Sequence, residues 1–129
     1  MALVINDRVK ENSTTSGTGN ITLAGVAAGQ GNVTFNSGIG TSNTTYYCIF
    51  EQGTNTFEIG LGTLSGSTTL ERTTVINNSS GNTSKISFTG GTLDVFCTMP
   101  AAKTVYLDAS GKPVGAASAG FALAMAVAL

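Results

Sequence analysis

Apolar and polar positions alternate along most of this chain, and the alternation is sharpest between Asn43 and Thr63, NTTYYCIFEQGTNTFEIGLGT. TTYYCIFE is dominated by β-branched and aromatic residues, the types that suit a pleated, half-buried surface. QGTN is a short glycine-containing turn. TFEIGLGT then puts Phe57, Ile59 and Leu61 on one face and Glu58, Gly60 and Gly62 on the other. The stretch predicts a β-hairpin at the core of the fold, since four of the nine aromatics lie on it.

The same reading predicts short strands on either side. Leu3 to Glu11 alternates through Leu3, Ile5 and Val9 and is followed by the turn-rich NSTTSGTG. Asn20 to Ala24 and Asn32 to Asn36 read as brief strands around a small, flexible Gly25–Gly31 segment. Thr68 to Ile76, Lys85 to Phe88, Leu93 to Met99 and Thr104 to Leu107 complete the series, with Pro100 ending the third of these. Turn signals about every ten residues and no convincing helical period before the C-terminus predict an all-β fold. The expected architecture is a single-domain antiparallel β-sandwich, jelly-roll-like, or a small barrel, over residues 1–114. Residues 115–129, GAASAGFALAMAVAL, read as a separate apolar C-terminal arm or final strand. There Phe121, Leu123, Met125, Val127 and Leu129 alternate strictly with alanines, a strand period, although alanine itself favours helix. The segment is too short to span a bilayer, which takes about 20 apolar residues.

Composition narrows the function. Only 10% of the 129 residues are charged, against 41% hydrophobic, and the net charge is −1. Threonine, serine, asparagine and glycine wet the surface instead, and hydroxyls are easier to bury against a neighbour than charges are. The six lysines and arginines are scattered, so no basic field exists to attract nucleic acid. MALVINDRVK breaks at Asn6 and Asp7 before any signal-peptide core develops, so synthesis in the cytoplasm without Sec export is expected.

Candidate chemistry is sparse. The chain has no histidine and seven carboxylates. Glu51 and Glu58 flank the hairpin turn and could face each other as a glycosidase pair would. The plainer expectation is that they are exposed and keep the strand edges soluble. Asp7 with Arg8, and Arg72 near Glu71, read as surface or interface pairs. Cys48 and Cys97 sit in apolar runs as small buried hydrophobes, with a disulfide between adjacent strands as the alternative. No catalytic, cofactor or metal site is expected, and no cofactor or membrane. Tyr46 or Tyr47 could serve a carbohydrate-binding module as a stacking platform if exposed.

Three patches resemble a family of bacteriophage virion proteins: LVINDRVKENSTTSGTGNITLAG at 3–25, NTTYYCIFEQGTNTFEIGLGT at 43–63 and GGTLDVFCTMPAAKTVYLDASGKPV at 90–114. SGSTTLERTTVINNSSG at 65–81 fits between them. Similar stretches, in this order, occur in N-terminal regions of tail-fibre and appendage proteins and in short standalone phage structural proteins. The resemblance implies a non-enzymatic structural protein located in the virion, and it implies no catalytic or ligand-binding residues. Fibre proteins continue into a shaft, whereas this chain goes directly to the apolar arm. That difference favours a capsid decoration (cement) protein bridging major capsid subunits over a tail, neck or fibre-anchoring component. Expected partners are the major capsid protein or tail and neck proteins of the same particle, and further copies of the chain as a homo-oligomer, dimer or trimer. Leu3, Ile5, Arg8, Phe121, Leu123, Met125, Val127 and Leu129 are the expected assembly contacts. The competing reading is that both segments complete the protein's own sheets.

Overall fold

In the computed structural model, which describes residues 1–115, one antiparallel sheet curls on itself until its two edges nearly meet. Its strands are β1 (Lys10–Ser13), β3 (Ile21–Thr22), β4 (Thr44–Glu51), β5 (Phe57–Gly66), β6 (Thr69–Asn78) and β8 (Leu93–Cys97), in the order β1-β8-β4-β5-β6-β3. The fold class is all-β, a six-stranded antiparallel sheet forming a nearly closed, barrel-like sandwich. Backbone bonds from Asn12 N to the Gly25 carbonyl (2.9 Å) and from Ala24 N to the Asn12 carbonyl (2.8 Å) tie the chain after β3 back to β1. The predicted hairpin lies at the centre as β4 and β5, and β6 extends it into a meander. Two short ribbons stand outside the sheet: β2 (Ser16–Gly17) with β7 (Phe88–Thr89), and β9 (Tyr106–Leu107) with β10 (Pro113–Val114).

Leu3 to Glu11 and Asn32 to Asn36 differ most from the sequence expectation, and of Lys85 to Phe88 only Phe88 lies in a strand. Leu3 to Glu11 is not one strand: Leu3 makes a single bridge to Thr44, and regular pairing starts only at Lys10. The chain turns between these points through Arg8, whose φ of 60° lies in the left-handed region. Asn32 to Asn36 is not a strand either. Val33 bridges Val9, and Phe35–Gly38 is a single helical turn, α1. Thr34 caps it, its hydroxyl accepting from Ser37 N at 3.1 Å, and the Glu11 carboxylate accepts from Phe35 N at 2.8 Å. These bonds satisfy amides that a four-residue helix cannot pair within itself.

The hairpin's buried face runs against its hydrophobic pattern. On β5 the residues turned inward are Glu58, Gly60, Gly62 and Leu64, while Phe57, Ile59 and Leu61 are only half-buried and point outward. On β4 the inward residues are Thr45, Tyr47, Ile49 and Glu51. The cause is steric. The Tyr47 ring lies across the two inward glycines: a Cβ on Gly60 would sit 2.6 Å from the Tyr47 Oη and 2.5 Å from the Thr74 carbonyl oxygen, and one on Gly62 would sit 2.9 Å from the ring. Val9, Ile21, Leu23, Phe35, Ile39, Tyr47, Ile49, Leu64, Leu70, Phe88, Leu93 and Val95 form the interior cluster.

Candidate assembly surface

Three of the six charged residues suggested as surface or catalytic groups are inside. Glu51 and Glu58, expected on the surface, are 2% and 0% exposed, and Arg72 is 1% exposed. Nor do the two carboxylates face each other across the hairpin, where Glu58 is registered with Ile49. Arg72 pairs with Glu58, not Glu71: its Nε donates to Glu58 Oε1 at 2.8 Å and a terminal nitrogen donates to Oε2. The same carboxylate accepts from Tyr47 Oη at 2.7 Å and from Ile86 N at 2.7 Å. Arg72 also donates to the carbonyls of Ile86, Gly17 and Gly19 and stacks over Phe88, its Cζ 5.2 Å from the ring centre. Each charge is therefore paired, and its remaining hydrogen-bonding capacity is taken up by backbone groups and, for Glu58, the Tyr47 hydroxyl. That is the condition for burying an ion pair. Burial, reinforced by the Glu58 carboxylate, pushes the Tyr47 phenol far above its usual range and keeps it a donor.

Glu51 and Glu11 act in the same way. Glu51 Oε1 accepts from Thr89 N at 3.2 Å and from the Thr89 hydroxyl, and Glu11 holds α1. Three of the seven carboxylates thus fasten loops to the barrel wall. No buried side-chain polar atom lacks a partner among the described residues. Among the described residues no group of three or more histidines, cysteines or carboxylates could hold a metal ion, and no helix is long and apolar enough to cross a membrane. Two clefts among the described residues, of about 320 and 380 Å³, are open; Arg8, Lys10, Phe96 and Cys97 help line the first, and Glu11, Leu23 and Thr34 the second.

The cysteines are both free. Tyr47, not Cys48, is registered with Cys97, and Cys48 is registered with Phe96, so the thiols lie on opposite faces of the sheet. Cys97 faces inward, 3.4 Å from the Thr45 hydroxyl. Cys48 faces outward among large neighbours, and their cover pushes its thiol up to about 11.

The apolar surface is extensive. Leu3 and Ile5 are 51% and 47% exposed, with Val4 between them packed on the interior. Arg8 is exposed but occupied by its own chain, donating to the carbonyls of Gln30 and Gly31. Phe121, Leu123, Met125, Val127 and Leu129 lie outside the described residues. A second apolar surface is absent from the expected contacts. Tyr46, Cys48 and Phe50 of β4, Phe57, Ile59 and Leu61 of β5, and Phe96 of β8 share the outer face of the sheet, as their registers show. Its signal in the sequence is the parity of Glu58, Gly60 and Gly62: small residues claim the inside for Tyr47 and turn the large ones out. Beyond β8, Met99, Val105, Tyr106 and Leu107 are also exposed, at 44–66%. Of the two tyrosines considered for sugar stacking, Tyr47 is fully buried and Tyr46 half-buried on this face. Comparison with protein-family models, with curated proteins and with solved structures finds no match to this chain.

Proposed function

We propose that the protein is a non-enzymatic bacteriophage virion structural protein, a capsid decoration (cement) protein that stabilises the shell by bridging major capsid subunits. The observation that carries this reading is the distribution of groups: Glu11, Glu51, Glu58 and Arg72 are buried and bonded within the fold, while a set of large apolar side chains is turned outward. Leu3, Ile5, Phe50, Val105, Tyr106 and Leu107 are all at least 36% exposed. Such a surface suits a protein that works by burial against neighbours, where about 1,600 Å² is ordinary for a stable contact. The resemblance of residues 3–25, 43–63 and 90–114 to phage virion proteins supplies the setting. The same surface would also serve a tail, neck or fibre-anchoring component, and copy number separates the two. Quantitative mass spectrometry of purified particles is expected to give a simple fraction or multiple of the major capsid protein. A few copies per particle would move the protein to the tail or neck, and absence from particles would overturn both.

A further inference from the structure

We infer that the outer apolar face of β4, β5 and β8 is the docking site for residues 116–129 of a second copy of this chain, so that copies associate by exchanging arms. The face is a continuous block. Across the strands Phe96, Cys48 and Ile59 form one row, Tyr46 and Leu61 a second, and Phe50 and Phe57 a third. Charge lies only at its margins, with Lys10 beside Phe96 and Asp94 beside Phe50. None of these seven residues belongs to the interior cluster or packs against it.

The occupant follows from the chain itself. Residues 116–129 carry no charge, and their five large side chains recur at every second position, so an extended arm presents all five to one side. Fourteen extended residues reach roughly 45 Å, more than the length of the eight-residue strand β4. An arm laid flat on the face keeps its alanine side and its backbone toward water, which satisfies its N–H and C=O groups without a sheet edge. The edges of the barrel are already tied together by Asn12, Ala24 and Gly25.

How the chain leaves the sheet favours exchange over docking on the same barrel. After β8 it passes through a 3-10 turn at Ala101–Lys103 into the β9–β10 ribbon. Apart from Thr104 and Val114, every residue from 101 to 115 is exposed. The ribbon stands off its own barrel and holds Val105, Tyr106 and Leu107 in solvent. An arm that begins at an exposed ribbon has a neighbour's face within its reach.

The test uses purified full-length chain in buffer, so its outcome is independent of whether the protein occurs in particles. Two variants are mixed and oxidised, both carrying Cys97→Ser. One keeps Cys48, and the other carries Cys48→Ser with Met125→Cys. Light scattering is expected to show more than one chain per particle in solution, and non-reducing electrophoresis a disulfide between the two variants. Leu61→Lys in the first variant should reduce that band at least tenfold while far-UV circular dichroism and the denaturation midpoint show the barrel intact. The inference is overturned if the unmodified chain is monomeric. It is also overturned if a single chain carrying both Cys48 and Met125→Cys closes an internal disulfide instead. Association that survives removal of 116–129 overturns it too, because the outer faces would then be pairing directly.

Discussion

Arg72 and Glu58 sit where an isolated charge would be intolerable, and each is acceptable only because of the other. Arg72→Met leaves Glu58 buried without its cation and is expected to destabilise the protein by about 3–5 kcal/mol in urea unfolding. Combining Arg72→Met with Glu58→Leu should cost much less than the sum of the single changes, because no uncompensated charge remains. Gly60→Ala is expected to cost about 1–3 kcal/mol by overpacking, since the new methyl would meet the Thr74 carbonyl, which is backbone and cannot swing aside. Cys48 gives a pH dependence of definite sign. Its thiol titrates near 9.0 when unperturbed and near 11 in the fold, where burial disfavours the thiolate. The stability this contributes is complete below the lower value and is lost as pH rises through the higher one. The denaturation midpoint of the wild type should therefore fall relative to Cys48→Ala between these two pH values.

At the scale of elements, the three inward glutamates couple strands to loops that the sheet alone does not hold. Glu51→Ala is expected to leave β4 and β5 paired but to raise hydrogen exchange at the Thr89 amide, the donor that Glu51 accepts from. Much at this scale was legible in the sequence. The hairpin, its turn and the following strand were readable because alternation and turn chemistry agree locally between Thr44 and Asn78. Asn32 to Asn36 was misread because Val33 and Phe35 alternate as in a strand. The capping bond from Ser37 N to Thr34 and the help from distant Glu11 override that pattern. The burial of Glu58 was not legible. Its partners Tyr47, Arg72 and Ile86 are 11, 14 and 28 residues away, and only the register of β4, β5 and β6 and the return of the chain before β7 bring them together. The outward turn of Phe57, Ile59 and Leu61 was missed for the same reason: period two says which residues share a face, not which face is inside.

For the molecule as a whole, β8 is the keystone. It is inserted between β1 and β4 and pairs antiparallel with both, and its Phe96 is registered with Lys10 of β1, 86 positions away in sequence. The β4–β5–β6 meander needs only neighbours in the chain and can form early, whereas the barrel cannot close until β8 arrives. During synthesis the growing protein therefore carries an open slot, flanked by β1 and β4, until residue 97 has left the ribosome. The same slot makes the chain divisible. Cut at the Gly90-Gly91 turn, the first piece keeps the meander, the Glu58–Arg72 pair and the β2–β7 ribbon, and the second supplies the missing strand. The two pieces are expected to reassemble on mixing, seen as recovery of the far-UV signal and co-elution. A peptide beginning at Gly91 would then act as a switch, completing a barrel on demand.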